Sequence, residues 1–294
     1  MTDTALSPRF LSIYRRDKKN VGDLWSVPQK FFPLRGVTHL DLAEPDSIPN
    51  EPGVYVVGGG GLGRAGFQSF LDRLTRKDRK YTLIAWGVGA DTALDKAAVF
   101  GAGTEAAAPE AYFSSFDAVG TRIWRDAGYR EGDIYDWVPC ASCMSELFLK
   151  LRDTRPTRKL GIYEHLRVPL ASRVLEGQSP LAQIPGLGPL FSRAPVASNR
   201  GADLAEKLEF MARHEVIATN SYHGVYWATL LGRKVLCYPF KDGLFTFRHA
   251  PSYPGEEGLE AAMDRARAYP EALDDCRAAN IAFYHKMQER FGDF

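Results

Sequence analysis

His223 is one of six histidines in 294 residues, and it stands in the turn TNSYHG (219–224), ahead of the small-residue run VYWATLLG (225–232). Imidazole exchanges a proton near neutral pH, so a histidine at a strand-to-helix junction is a first candidate for chemistry. Asn220 and Ser221 are N-cap residue types, which places His223 in the first turn of a helix, at the carboxyl end of the strand EVIAT (215–219). Open α/β sheets bind ligands at that end, and the free N–H groups of a helix start attract anions. The same positive helix end disfavours imidazolium, so an empty site is expected to keep His223 neutral. A capping histidine that only hydrogen-bonds across the fold satisfies the same pattern.

Three further turns offer partners. KKNVGDLWSVP (18–28) follows the strand FLSIY (10–14); Asn20, Gly22 and Asp23 there make a tight turn that can approach a ligand closely, or a plain strand-to-helix turn capped by Asp23. VVGGGGLGRAG (56–66) reads as a glycine-rich loop after a strand, with the amides of Gly59, Gly60 and Gly61 available to an anion. Its G-x-G-x-x-G matches are nearly forced by composition and lack the acidic partner of a dinucleotide site. WGVGA (86–90) reads as another glycine turn after a strand. Arg122 in VGTRIW, Lys241 after CYPF and Arg248 in TFRH could supply positive charge, although each also fits a solvated surface. Cys140 and Cys143 form a C-x-x-C without the second pair a zinc ribbon needs, so a buried structural pair with no metal is expected.

Positioning these turns requires a frame, and the apolar runs supply one. Strand-length runs at 10–14, 54–58, 82–86, 116–120 and 135–139 fit a parallel sheet covered on both faces, with a helix over 67–77 among the connections. LRDTRPTRKL (151–160) is charged and broken by proline, and marks a boundary between residues 1–150 and 151–294. The second half repeats the pattern with LGIYEHL, a helix over 202–214, EVIAT, a helix from Gly224 to Leu231 and KVLCYP. The expected fold is α/β: two Rossmann-like domains facing a central cleft. The helical tail from Glu256, interrupted at Pro270, is long enough to cross back onto the first domain. A net charge of +1, from 37 basic and 36 acidic residues, excludes a global field for nucleic acid or anionic lipid, so any anion site is local. MTDTALSPRF has no apolar leader core, no apolar run reaches spanning length, and four cysteines suit a reducing compartment, so a cytoplasmic location is expected.

NVGD, VVGGGGL, WGVG and NSYHGVYWATLLGRKV, with a lysine downstream, together resemble the polysaccharide pyruvyl transferase family over about Phe10 to Lys241. The most specific element is the Ser-Tyr-His-Gly turn with its small-residue helix and LGRKV. The resemblance implies two Rossmann-like domains of the GT-B type and transfer of pyruvyl from phosphoenolpyruvate to a sugar or lipid-linked glycan, with no cofactor and at most peripheral membrane contact. On that reading His223 binds or protonates the donor, and Asp23 can activate the acceptor hydroxyl. Arg122, Lys241 and Arg248 hold anionic groups beside Ser221, Tyr222 and Gly224, and Asn20 with Gly59, Gly60 and Gly61 shapes the opposite wall. YDWVPCASCM (135–144) also resembles a segment of some members, consistent with structural cysteines. The chain departs from the family where Tyr222 replaces an arginine common before the histidine, and where Ile123 replaces an aspartate after Arg122. Two alternatives remain open. One is a nucleotide-sugar glycosyltransferase on the same architecture, for which Glu164 or Glu215 would bind ribose; the other is a non-catalytic glycan-binding relative.

Overall fold

A computed structural model of the chain describes residues 9–34, 37–63, 65–90, 110–130, 132–171, 174, 194–255 and 258–292. Most of the MTDTALSPRF segment lies outside the described residues. Among those described, ten strands form two all-parallel sheets. The first has the order β2-β1-β3-β4-β5-β6, from β1 (Arg9–Tyr14), β2 (Val37–Asp41), β3 (Gly53–Gly63), β4 (Tyr81–Ala90), β5 (Ala118–Thr121) and β6 (Tyr135–Trp137). The second has the order β10-β9-β7-β8, from β7 (Arg158–Glu164), β8 (Val196–Ser198), β9 (His214–Thr219) and β10 (Lys234–Cys237). The helices are α1 (Val21–Trp25), α2 (Gln68–Leu74), α3 (Glu110–Phe113), α4 (Glu146–Leu151), α5 (Leu204–Ala212), α6 (Tyr222–Leu230), α7 (Leu259–Arg265) and α8 (Ala272–Phe291).

Side chains alternate across a strand, and in the first sheet both sets are apolar. Leu11, Ile13, Tyr55, Val57, Leu83 and Ala85 share one buried layer with Phe70, Leu71 and Leu74 of α2. Phe10, Val54, Val56, Ile84 and Trp86 point the other way and pack with Phe283 and Met287 of α8. The last helix therefore reaches back to the first sheet. Its buried positions Leu273, Cys276, Asn280, Phe283 and Met287 recur every three or four residues, as one helix face requires. Leu273 and Cys276 lie instead in the core around the second sheet, with Tyr163, Ile217 and Trp227, so one helix spans both cores.

Two sequence expectations are corrected here. The glycine run expected as a loop is strand: β3 continues to Gly63 and pairs with β4 at Gly58↔Trp86, Gly60↔Val88 and Gly61↔Gly89. WGVGA is likewise strand, the end of β4, not a turn. Glycine carries no side chain to reveal a buried face, so periodicity falls silent where the strand continues. The ladder steps past Gly59 (φ 59°) and Gly87 (67°) and resumes at Gly60 (92°), positive φ values that glycine adopts without a Cβ clash.

Asn280 is the polar exception on the buried stripe of α8. Its Oδ1 accepts from Trp86 Nε1 (2.8 Å), and its Nδ2 faces the carbonyls of Cys276 (3.0 Å) and Pro139 (3.1 Å). Removing that amide strands a buried indole N–H and a carbonyl together, each at a cost comparable to desolvating a polar group. Asn280→Ala is expected to lower unfolding stability by about 2–4 kcal/mol in urea titrations; a loss under about 0.5 kcal/mol would show that this bond does not tie the helix to the sheet.

Candidate functional site

Both sheet orders reverse at the strands that carry the candidate residues. In the first sheet, β1 and β3 are neighbours whose chains leave in opposite directions, and α1 with Asn20 and Asp23 begins at the carboxyl end of β1. In the second, β7 and β9 make the same kind of switch, and His223 opens α6 at the carboxyl end of β9. A crevice forms outside the strand ends at such a point, because the flanking connections diverge to opposite faces.

The two switch points meet. Val21 N–H donates to the Asn199 carbonyl (3.1 Å), Gly201 N–H donates to the Lys19 carbonyl (3.1 Å), and the Asn199 amide donates to Asn20 Oδ1 (3.1 Å). The start of α1 is thus bonded to the segment after β8. Asn20 is also the N-cap, accepting from Gly22 N–H (3.2 Å) and donating to Asp23 Oδ2 (2.9 Å). Asp23 is therefore a first-turn residue held by the cap, in place of the expected capping role. Gly22 lies against the His223 ring so closely that a Cβ would collide with Nδ1. On the other side, His223 Nε2 is 3.5 Å from Cys140 Sγ, and Trp227 packs at 4.8 Å between ring centroids.

His223 is consequently buried at 7% exposure, between elements of both sheets. Burial, and then the charges of Arg122 and Lys241, bring its pKa down to about 3. It is neutral, as the sequence implies, but burial is the leading cause. Asp23 shows the opposite shift: burial, and then Asp17, push its carboxyl up to about 6. Near neutral pH the pair offers a base that holds no proton and an acid that carries one part of the time.

Arg122 directly follows β5 and is 4% exposed, with its guanidinium 3.6 Å from the centroid of the Tyr222 ring. Room for it comes from Gly89, where a Cβ would strike the guanidinium. Its charge acts on His223, Asp23 and Cys140, and Lys241 after β10 acts on His223. Asp23, Arg122, His223, Lys241 and Tyr222 are therefore brought together. Gly61 pairs with Gly89 in the neighbouring strand, while Gly59 packs under Ser26; of the glycine run, Gly60 and Gly61 keep partial exposure.

Other expected residues are engaged by the fold. Ser221 occupies the N-cap position of α6 without a side-chain cap bond, and the Asn220 side chain instead accepts from His165 N–H (2.8 Å) and donates to the Val168 carbonyl (2.9 Å). Gly224 is pressed against Thr219 and Tyr163 inside the fold, which leaves it to packing. Arg248 pairs with Asp275 (3.1 Å) and lies over Trp124 and Trp137, near Tyr222 but engaged. Cys140 and Cys143 are buried free thiols, Cys143 pushed up to about 12 by burial. Sequence reasoning missed Asn199, whose clue was a polar side chain in SNRG immediately after a strand.

No family model matches the chain, and no curated protein does. Solved structures with some likeness include a functionally uncharacterised protein from Klebsiella pneumoniae subsp. pneumoniae NTUH-K2044, at 16% identity and TM-score 0.44, over 79% of this chain and 84% of that one. The wall teichoic acid polymerase TagF is similar at 11% identity and TM-score 0.40, over 94% of this chain and 82% of the polymerase. A second structure of that polymerase gives 9% identity and TM-score 0.35, over 97% and 88%. These likenesses are distant, and what the site can do is set by its own geometry.

The opposed shifts have a measurable signature. With a native pKa near 3, below the ordinary 6.5, neutral His223 keeps its full stability above pH 6.5 and loses it as acid protonates the unfolded chain first. With a native pKa near 6, above 3.8, ionised Asp23 costs stability above pH 6, and the cost fades as pH falls toward 3.8. Asp23→Asn is expected to stabilise the protein by about 1–2 kcal/mol at neutral pH, less than the full shift implies because Asp23 keeps some solvent contact. The same variant should lose stability more steeply than the parent below pH 6.5. Urea midpoints across that range test both; a less stable Asp23→Asn at neutral pH would refute the raised carboxyl.

Proposed function

We propose that the protein transfers a pyruvyl group from phosphoenolpyruvate to two hydroxyls of a sugar, forming a cyclic pyruvate ketal and releasing inorganic phosphate. The observation that supports this most is the convergence of Arg122 and Lys241 on neutral His223, with Asp23 across the junction of the two sheets. Phosphoenolpyruvate carries a phosphate and a carboxylate on one small carbon frame, and two cations in a largely buried site match that pair of anions.

The chemistry divides between the titratable groups. Protonation of the methylene carbon makes it a methyl and leaves the neighbouring carbon electron-poor. One sugar hydroxyl adds there and loses its proton. The C–O bond to phosphate then breaks as the second hydroxyl adds and gives up its own proton. Asp23, with a pKa near 6, is suited to deliver or collect a proton at neutral pH. His223 starts as a base; a bound dianion offsets the Arg122 and Lys241 charges that now lower its proton affinity, so donor binding itself favours its protonated form. Asn20 fixes Asp23, and Gly60 and Gly61 leave the wall near Gly89 low.

The nucleotide-sugar alternative is less well served by its own candidate acids. Glu215 is near the amino end of β9, opposite the site, and pairs with Lys159 (3.2 Å) and Lys234 (3.7 Å). Glu164 is at a carboxyl end, but its Oε2 accepts from the N–H groups of Leu170 (2.8 Å) and Ala171 (3.2 Å).

Two measurements test the proposal. Phosphoenolpyruvate at about 100 times its Kd should stabilise the protein by about 2.7 kcal/mol in thermal unfolding, with UDP-, GDP- and CMP-sugars giving no shift; the reverse pattern would favour a glycosyltransferase. His223→Gln, which keeps a hydrogen-bonding side chain without a titratable ring, should fold and lose about 10² or more in pyruvyl transfer to a sugar. Unchanged transfer by that variant would remove His223 from the chemistry.

A further inference from the structure

A second concavity lies beside the site, along the free edge of the first sheet. Trp124, Tyr129, Arg130, Asp136, Trp137 and Lys286 of α8 are among the residues lining a solvent-open groove of about 280 Å³. Trp137 also lines the smaller pocket that contains Arg122, Tyr222 and Arg248, so the groove runs to the edge of the candidate active site.

The groove is aromatic but not greasy. Trp124 and Trp137 meet edge to face at 5.2 Å, and Tyr129 stacks on Tyr135 at 6.2 Å; Trp124, Tyr129 and Trp137 all keep partial exposure. Its cations are mostly balanced by carboxylates: Arg125 is bidentate with Glu110 (2.6 and 2.7 Å), and Lys286 holds Asp136 (2.7 and 2.9 Å). Paired charges present donors and acceptors side by side while exerting little net pull on a polyanion. A ligand suited to such a surface has apolar C–H faces to lie on rings and many neutral hydroxyls, and the groove's volume is at the small end of what small-molecule sites offer.

We propose that this groove is a saccharide subsite, in which a neutral oligosaccharide lies across Trp124, Tyr129 and Trp137 and hydrogen-bonds to Arg130, Asp136 and Lys286. The inference rests on the proposed transfer to a sugar for one element only: the end of the oligosaccharide next to Trp137 is the one offered to the reaction. Binding itself needs neither the donor nor His223.

The experiment therefore omits the donor. The parent protein is titrated with maltotriose, cellotriose and a β-1,4-galactotriose, followed by saturation-transfer NMR and tryptophan fluorescence. At least one trisaccharide is expected to bind at millimolar concentration or tighter. Trp124→Ala should weaken it at least tenfold, and Arg130→Ala, at an exposed position, at least threefold, while Lys159→Ala, at the opposite end of the second sheet, should bind within twofold of the parent. Thermal unfolding confirms that each variant is folded. Absence of binding by all three sugars, or unchanged affinity in both groove variants, would overturn the subsite. So would tighter binding of a tripolyphosphate probe at the same residues. Saccharide binding without pyruvyl transfer in any assay would leave the subsite standing and sink the proposed reaction alone.

Discussion

The contact between the Gly22 backbone and the His223 imidazole governs the arrangement of the site. A single methyl at position 22 would occupy the space of the ring, so the approach of α1 to the start of α6 depends on its absence. That approach brings the carboxyl ends of β1 and β9 together and lets Asn199 bridge to Asn20. It also encloses the histidine. The pKa shifts follow from the same closeness, because water excluded from the junction can no longer solvate charge on either His223 or Asp23.

Arg122 and Tyr222 illustrate how a charge can reach a site from a distant part of the chain. The resemblance to pyruvyl transferases leads one to look for an arginine immediately before the histidine, where this chain has a tyrosine. The tyrosine ring faces the guanidinium of Arg122, which arrives from the first sheet after β5. A flat cation over an aromatic face is held in one plane and loses little of its charge to the contact. A positive group is thus supplied from the opposite side of the junction, and Gly89 is the residue whose smallness admits it.

The strand pattern was legible because buried parallel strands are apolar on both faces, and β1, β9 and β10 can be found from short apolar runs alone. Asn20 and His223 were legible because capping residues and a lone imidazole stand out at strand ends. Legibility failed where side chains carry no signal. Gly58, Gly60, Gly61, Gly63 and Gly89 stand in segments that look like loops, yet they pair as strands, since pairing uses backbone groups that composition does not display. It also failed for Asn280 and Asn199, whose roles depend on partners far away in the chain: Trp86 is 194 residues from Asn280 and Asn20 is 179 from Asn199. The ion pair of Arg248 was hidden for the same reason, its carboxylate partner Asp275 being invisible from the TFRH segment.

The span of α8 across both cores has a consequence for synthesis. During translation the first sheet can assemble its strands, but the face bearing Phe10, Val56 and Trp86 is covered only in part, by Phe32 and Val138, until the ribosome has released residues 272–291. Throughout that interval the nascent chain exposes part of a layer of large apolar side chains. Such surfaces attract chaperones and neighbouring chains alike. Closure of this core is therefore a late event relative to formation of the sheet, gated by arrival of α8, and a ribosome stalled before residue 272 would leave a product fit for degradation and unable to mature.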